Sequence, residues 1–93
     1  MNSETPQAIA CPCCGNLTLG TDGMAADWDI CLVCFWENDP DQRKDETLAE
    51  GANDVNLKTA RENYKAFGAC DENVKEHVRD PLPEEVPQPE AQH

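Results

Sequence analysis

The sequence predicts a small α+β protein in which a β-hairpin joins two Cys-x-x-Cys turns and packs on one or two short C-terminal helices. Three features predict this fold: two cysteine pairs with sixteen residues between them, alternating polar and apolar residues in that interval, and a later segment with apolar residues at helical spacing. A chain of 93 residues forms at most one small domain, whose core contributes no more than about 3 to 5 kcal/mol. The fold therefore needs a second source of stability, which the cysteines can provide.

The segment between the cysteine pairs predicts the hairpin. "NLTLGT" alternates polar and apolar residues, an Asp-Gly pair at 22–23 is typical of a turn, and "DWDI" alternates again before the second pair. On this second strand Trp28 and Ile30 share one face, which we expect to be buried. Asp27 and Asp29 share the opposite face, which we expect to lie in solvent.

The second half of the chain predicts a loop and two helices. Residues 37–56 are polar and charged, which predicts a long surface loop. The segment "NLKTARENYKAFG" is the clearest helix, with Asn56 as its N-cap and Gly68 as the left-handed residue that ends it. A weaker second helix is expected to begin after Asp71 and to end near Val78.

Composition divides the chain into three parts. Residues 1–10 are expected to form a flexible stub, and residues 11–80 are expected to form the cysteine-bearing domain. The tail at 81–93 has four prolines, three glutamates and few apolar groups, so we expect it to be disordered and acidic.

The sequence also indicates a compartment. Residues 1–10 lack the basic start and the long apolar run of a secretory signal, and no stretch approaches the roughly 20 apolar residues of a membrane span. We therefore expect a cytoplasmic protein that does not enter a membrane. In a reducing compartment cysteines hold metal more often than they form disulfides, whereas an exported chain with six cysteines could pair them in several ways.

Cysteine spacing predicts which thiols act together. Zinc bound by four thiolates is tetrahedral, and two Cys-x-x-Cys turns brought together by a hairpin supply that geometry. Since the adjacent Cys13 and Cys14 cannot both reach one ion from a single turn, Cys11 and Cys14 form the first pair. Cys31 and Cys34 form the second, at the spacing usual for zinc ribbons. The prediction is one structural zinc ion per chain bound by these four, and the alternative is a set of buried thiols without metal.

Two cysteines are left over, and each has two interpretations. Cys13 is either a small side chain packed beside the first turn or an exchangeable ligand or reactive thiol near the metal. Cys70, just past a predicted helix, has the same alternatives. We favour packing for both, because buried free cysteine behaves as a small apolar residue. The aromatic side chains are expected to fill the core between the hairpin and the helix: Trp28, Phe35, Trp36, Tyr64 and Phe67.

Charge indicates the class of partner. The net charge is −12, and the first basic residue is Arg43, so the cysteine-bearing half has no cation. Four thiolates around one zinc ion would make the charge more negative still. Nucleic acid is therefore not expected to bind. A basic protein is the expected partner, and the alternative is a solvated acidic surface without a partner. The carboxylates predicted to form its binding surface follow the second strand and the second cysteine turn: Asp27, Asp29, Glu37, Asp39 and Asp41.

Catalytic patterns are not found. A catalytic zinc has three protein ligands and an open position, whereas this pattern supplies all four ligands. A redox Cys-x-x-Cys pair would need βαβ surroundings that the predicted hairpin does not provide. We therefore expect that the protein is not an enzyme.

These residues resemble the small bacterial family of cysteine-rich CPCC proteins. The matching stretches are "CPCCG" at 11–15, "CLVCFWEND" at 31–39 and "NLKTARENYKAFGAC" at 56–70. They follow one another in the expected order along nearly the whole chain except the stub and the tail, although Leu32 stands where we would expect proline in the second turn. The resemblance implies a zinc-ribbon-like domain at 11–80, usually found as a short stand-alone protein, and it implies no settled biochemical activity.

Three hypotheses of function follow. The first is a zinc-stabilised acidic binding protein that covers a basic partner, as immunity proteins and antitoxins do when they neutralise a toxin. The second is a thiol- or metal-handling protein that uses Cys13 or Cys70. The third is a zinc-ribbon module that binds nucleic acid through the basic stripe of Lys58, Arg61 and Lys65. The oligomeric state is left open.

Overall fold

The computed structural model describes residues 8–20 and 26–87, and it has the predicted α+β composition. No helix among these residues is long and apolar enough to cross a membrane. The elements in chain order are β1 (Ile9–Ala10), β2 (Leu17–Leu19), α1 (Pro40–Lys44), α2 (Leu57–Phe67), a first 3-10 helix (Glu72–His77) and a second 3-10 helix (Pro83–Glu85).

The hairpin lies in a different place from the predicted one. β1 pairs antiparallel with β2, with Ile9 opposite Leu19, so this hairpin encloses the first cysteine turn instead of joining the two turns. The predicted second strand, 27–30, is not a regular strand: Ile30 forms an isolated bridge with Glu37 on the far side of the second cysteine turn, and the Trp28 N–H donates to the Asn38 carbonyl at 2.8 Å. Because each cysteine turn reverses the chain, the residues that flank it run antiparallel and bond to each other.

The segment before the second cysteine turn also contradicts the predicted strand faces. Trp28 and Ile30 were expected to be buried, and they are 54% and 43% exposed. Trp28 has a φ of 71°, in the left-handed region, so the backbone bends there and the alternation of faces is lost. The predicted turn at 22–23 lies outside the described residues.

The core lies where the two cysteine turns meet α2. Trp36 and Leu57 are fully buried in it, whereas Tyr64 is only partly buried and packs against it. The aromatic core prediction is thus confirmed for Trp36 and wrong for the exposed Trp28. The buried residues of this cluster are Cys11, Cys13, Leu19, Ala26, Cys31, Val33, Cys34, Trp36, Leu57, Ala60 and Cys70.

The predicted main helix is confirmed as α2, with the expected ends. The Asn56 side-chain oxygen accepts a hydrogen bond from the Thr59 N–H at 2.8 Å, which satisfies one free donor of the first turn. Gly68 ends the helix with a φ of 83°, a conformation that favours glycine. Leu57 and Ala60 form the buried side of α2.

Residues 37–56, which we name the Gln42 segment, lie mostly at the surface as predicted, but they are an ordered segment and not a loop without structure of its own. The segment begins with α1 and is organised around the fully buried Gln42. The Gln42 amide nitrogen donates to the carbonyls of Leu48 and Val55 at 3.1 and 3.3 Å. Its oxygen accepts from the Asn53 backbone and side chain at 3.2 and 3.0 Å. The Asn53 amide in turn bonds both the N–H and the carbonyl of Glu37.

A carboxylate and a glycine complete the Gln42 segment. Asp39 caps α1 by accepting from the Asp41 N–H at 2.8 Å, and its second oxygen accepts from the Ala52 N–H at 2.9 Å. Gly51 passes so close that a Cβ there would lie 2.6 Å from the Asp39 carboxylate and 2.7 Å from the Gln42 side chain. Only glycine, which has no Cβ, fits at position 51 so close to these two side chains.

After α2 the chain forms two short 3-10 helices. The predicted second helix is a 3-10 helix, Glu72–His77, whose cap Asp71 accepts from the Asn73 N–H at 3.4 Å. The predicted disordered tail begins with an ordered turn, since Arg79 forms an ion pair with Glu85 at 2.8 Å. Residues 88–93 lie outside the described residues, and the domain boundaries at 10 and 80 stay predictions.

Candidate metal centre

The two cysteine turns have the same backbone hydrogen bonds. In the first, the Gly15 N–H donates to the Cys11 carbonyl at 2.8 Å, and the Cys11 N–H donates to the Asn16 carbonyl at 2.9 Å. The equivalent residues of the second turn, with bonds of 2.7 and 2.9 Å, are Cys31, Phe35 and Trp36. The fifth residue of each turn is left-handed, with φ of 82° at Gly15 and 71° at Phe35. One backbone motif therefore occurs twice, once with glycine and once with a bulky residue at the left-handed position.

The two turns bring four cysteine sulfurs together. The Cys11 and Cys34 sulfurs are 3.6 Å apart, and the Cys14 and Cys31 sulfurs are 3.7 Å apart. All four lie within 4.8 Å of one another. A zinc–sulfur bond of about 2.3 Å in a regular tetrahedron sets sulfur–sulfur edges of about 3.8 Å. The four sulfurs therefore have the donor chemistry and nearly the spacing that one metal ion needs.

Polar groups surround the sulfurs of the centre. The Asn16 amide nitrogen donates to the Cys14 sulfur at 3.2 Å, and the Thr18 hydroxyl donates to the Cys31 sulfur at 2.9 Å. The Cys34 backbone N–H also points at the Cys31 sulfur, at 3.5 Å. Hydrogen bonds donated to sulfur stabilise its ionised form, as the outer groups of metal sites do.

The four thiols divide into two pairs by acidity. Hydrogen bonding from Cys11 lowers the pKa of Cys14 and of Cys31, and the Thr18 hydroxyl lowers that of Cys31 further. Hydrogen bonding among the same thiols, together with burial, raises the pKa of Cys11 and of Cys34. Thiolate is the form of cysteine that binds metal, so the groups that donate hydrogen bonds to the Cys14 and Cys31 sulfurs favour metal binding there.

Helix α2 supports the first cysteine turn. The Arg61 guanidinium donates to the Pro12 carbonyl at 2.9 Å, and the Tyr64 hydroxyl accepts from the Asn16 amide at 3.3 Å. From the sequence, Arg61 was predicted to lie on a basic stripe and Tyr64 in the core, and their support of the first cysteine turn was not predicted. Their separation of three residues was the available signal, because such residues share one face of a helix.

Cys13 and Cys70 pack beside the centre and are not among the four clustered sulfurs. They are 7% and 3% exposed, and none of the six cysteines forms a disulfide. Burial raises the pKa of Cys70 to about 12, which disfavours its thiolate. These findings agree with the packing interpretation of both residues.

Three of the five predicted docking carboxylates have partners within the chain. Asp27 forms an ion pair with Arg43 at 2.9 Å, and Asp29 accepts from the Gly20 N–H at 2.8 Å. Asp39 is only 3% exposed. Burial opposes its ionisation, but three backbone N–H groups outweigh that effect and lower the pKa of Asp39. Its carboxylate thus stabilises α1 from the interior.

The other two predicted carboxylates are placed differently. Asp41 is exposed in the first turn of α1, and Glu37 is partly exposed opposite Ile30. The side chains of both make no hydrogen bond or ion pair with another described residue. Among the described residues, the carboxylates of Asp41 and Glu37 are therefore not occupied by contacts within the chain. The other three predicted carboxylates are.

The basic stripe on α2 is partly neutralised. Lys58 lies 3.8 Å from Glu62, and Arg61 pairs with Glu46 at 2.9 Å. Since Arg61 also bonds the first cysteine turn, its guanidinium is committed to contacts within the chain.

Comparison with known proteins adds one finding. A family model described as Cysteine-rich CPCC matches residues 9–85, a span that contains both cysteine turns, the Gln42 segment and α2. No curated protein and no solved structure was found to match the chain.

Proposed function

This chain belongs to the cysteine-rich CPCC family, and from that membership together with its four-sulfur centre we propose that it is a zinc-stabilised, acidic protein-binding module and not an enzyme. The observation that supports the zinc centre is the cluster of four cysteine sulfurs within 4.8 Å of one another. Cys11, Cys14, Cys31 and Cys34 would hold one zinc ion per chain. When bound, zinc would supply a rigid cross-link between the two turns, and four protein ligands leave it no open position for a substrate.

The charge distribution supports the binding role. The net charge of −12 attracts positively charged surfaces and raises the rate at which a basic protein associates. The finer proposal is that the chain covers and neutralises such a protein, as immunity proteins and antitoxins do. With Asp27, Asp29 and Asp39 engaged within the chain, the docking surface is centred on Asp41 and Glu37.

The alternative hypotheses have less support. A thiol-handling role needs an accessible thiolate, and Cys70 is buried with a raised pKa while Cys13 is also buried. A nucleic-acid role needs unpaired cations, and Lys58 and Arg61 already face glutamates.

Native mass spectrometry tests the zinc centre. We expect one zinc ion per chain in the wild type, and loss of zinc when Cys11, Cys14, Cys31 or Cys34 is changed singly to serine. The matched controls, Cys13→Ser and Cys70→Ser, should retain it. Zinc lost from Cys13→Ser and kept in Cys14→Ser would overturn the ligand assignment.

Association kinetics test the docking surface. A basic protein captured from the native host should bind Asp41→Asn several-fold more slowly than the wild type at low salt, with a flatter salt dependence and unchanged zinc content. The matched control is Glu62→Gln, which removes one carboxylate from α2 away from the cysteine turns. Equal rates for wild type, Asp41→Asn and Glu62→Gln would place the interface elsewhere.

A further inference from the structure

A cavity beside the second cysteine turn is not used by the metal centre. It has a volume of about 160 Å³ and lies between this turn, residues 52–54 and the start of the first 3-10 helix. Pockets that enclose a drug-sized ligand measure about 300 to 1,000 Å³. The cavity is therefore suited to a single side chain.

One wall of the cavity is apolar, and the aromatic ring in it is held by a stacking contact. Ile30, Phe35 and Val74 line it. Phe35 belongs to the second cysteine turn, and its ring stacks on His77 with 5.3 Å between the ring centres. The ring is thus fixed from the turn on one side and from the 3-10 helix on the other, so little order has to be gained when a ligand binds.

The rim of the cavity is acidic. Glu37, Asp54 and Asp71 line it. Asp71 caps the 3-10 helix, whereas the side chains of Glu37 and Asp54 make no hydrogen bond or ion pair among the described residues. Glu37 pairs with Ile30 across the second turn, so a carboxylate and an apolar side chain stand next to each other on the lining.

The cation that matches this rim has to come from another molecule. All seven lysines and arginines of the chain lie within the described residues, and none of them lines the cavity. A second copy of the chain, at a net charge of −12, would be repelled. Charge complementarity therefore points to a basic partner protein.

We infer that this cavity takes an arginine side chain of the basic partner. The methylene stem would lie against Ile30 and Val74, and the guanidinium would donate to the carboxylates of the rim. Arginine fits better than lysine, because its planar head can engage two carboxylates at once and stack on the Phe35 ring. The inference rests on the proposed function, since it names the residue by which the partner is anchored.

Nuclear magnetic resonance titration of the full chain tests the cavity directly. The probes are N-acetyl-arginine amide, N-acetyl-lysine amide and N-acetyl-citrulline amide, whose head resembles that of arginine but carries no charge. We expect saturable shifts of the amide signals of Phe35, Asn53 and Asp54 with the arginine probe. The lysine probe should bind more weakly, and the citrulline probe should cause no saturable shift.

Two variants and a control localise the effect. Asp54→Asn and Glu37→Gln should each weaken arginine binding about three- to tenfold, the range for losing one charged hydrogen-bond partner at a partly exposed site. Glu62→Gln, which removes a carboxylate that does not line the cavity, should leave the affinity unchanged. An equal loss in all three variants would show a general charge effect and overturn the inference.

The outcomes separate this inference from the proposed function. Zinc content is measured on the same samples. Arginine shifts at the cavity without bound zinc would overturn the zinc proposal and support the cavity. No arginine shifts, equal shifts with citrulline, or lysine bound as tightly as arginine would each overturn the arginine site, even where zinc is bound.

Discussion

The cysteine turns and the Gln42 segment are adjacent, yet different forces hold them. In the turns, four sulfurs from two copies of one backbone motif meet within 4.8 Å. In the Gln42 segment, one buried amide bonds carbonyls and N–H groups at three other positions of the chain: Leu48, Asn53 and Val55. The Asn53 amide in turn bonds Glu37. The cysteine turns therefore depend on four residues of one type, placed by a backbone motif that occurs twice. The Gln42 segment depends on one particular amide at one particular position.

Metal removal should have the largest effect and should act through the cysteine turns. Structural zinc contributes about 10 to 16 kcal/mol in small zinc domains, more than the few kcal/mol that a core of this size supplies. A strong chelator should therefore unfold the chain, seen as loss of dispersion in the NMR spectrum and of far-ultraviolet circular dichroism. A chelated, metal-free chain with an unchanged spectrum would show that packing alone holds the turns.

The substitution Gln42→Met should be the most damaging single change in the Gln42 segment. It keeps a similar volume but leaves the Leu48 and Val55 carbonyls and the Asn53 backbone N–H without the partner they have in the wild type. We expect a loss of about 3 kcal/mol in the free energy of unfolding, since each unsatisfied buried group costs about 1 to 3 kcal/mol. Urea denaturation measures it. The control is Glu50→Met at an exposed position of the same segment, and an equal change in both would contradict the role of the buried amide.

The substitution Gly51→Ala should cost about 1 to 3 kcal/mol, the usual range for an overpacked interior. The added Cβ would meet the Asp39 carboxylate and the Gln42 side chain, both of which are held by hydrogen bonds. Zinc stoichiometry should not change, because neither group contacts a sulfur. Urea denaturation and native mass spectrometry of one preparation check both statements. A variant of wild-type stability would mean that this part of the segment adjusts at no cost.

The substitution Gly15→Ala should cost less, about 1 to 2 kcal/mol, because only backbone strain opposes it. The φ of 82° is unfavourable for alanine, but a Cβ would meet no atom within 4 Å. Gly15→Asn is the matched control, since asparagine tolerates the left-handed region better and should be closer to the wild type. If both variants lost the same stability in urea denaturation, conformational strain would not be the cause.

The smallest expected effect concerns pH. Because the folded-state pKa of Asp39 is lowered, its carboxylate contributes stability that is complete above the unfolded pKa of about 4 and is lost as pH falls through the folded value. The stability difference between the wild type and Asp39→Asn, about 1 kcal/mol for the lost hydrogen bond from the Ala52 N–H, should therefore be constant from about pH 7 to pH 5. Urea midpoints at both pH values measure it. A difference that shrinks over this range would contradict the lowered pKa.

Sequence reasoning succeeded where a pattern is set by local chemistry. The cysteine spacing identified the four residues whose sulfurs meet, because a tetrahedral centre restricts which thiols can take part. The ends of α2 were predicted for a similar reason, since Asn56 and Gly68 act on the backbone next to them.

The features that the sequence did not predict depend on contacts between residues far apart in the chain. Gln42 and Asn53 looked like loop residues, because nothing local shows that their amides will meet across eleven positions. Trp28 looked like a strand residue, and alternation does not reveal its left-handed backbone. Asp39 was predicted to be an exposed carboxylate, but its second oxygen accepts a hydrogen bond from the N–H of Ala52, thirteen positions later.

The uneven exposure of the sulfur centre has a consequence for the kinetics of metal exchange. Cys11, Cys31 and Cys34 are at most 1% exposed, whereas Cys14 is partly exposed. If the centre holds the proposed zinc ion, a competing chelator would meet Cys14 first, and reaching the three buried cysteines would require local opening of the turns. Metal exchange would then be slow, with a rate set by that opening and not by the affinity of the chelator.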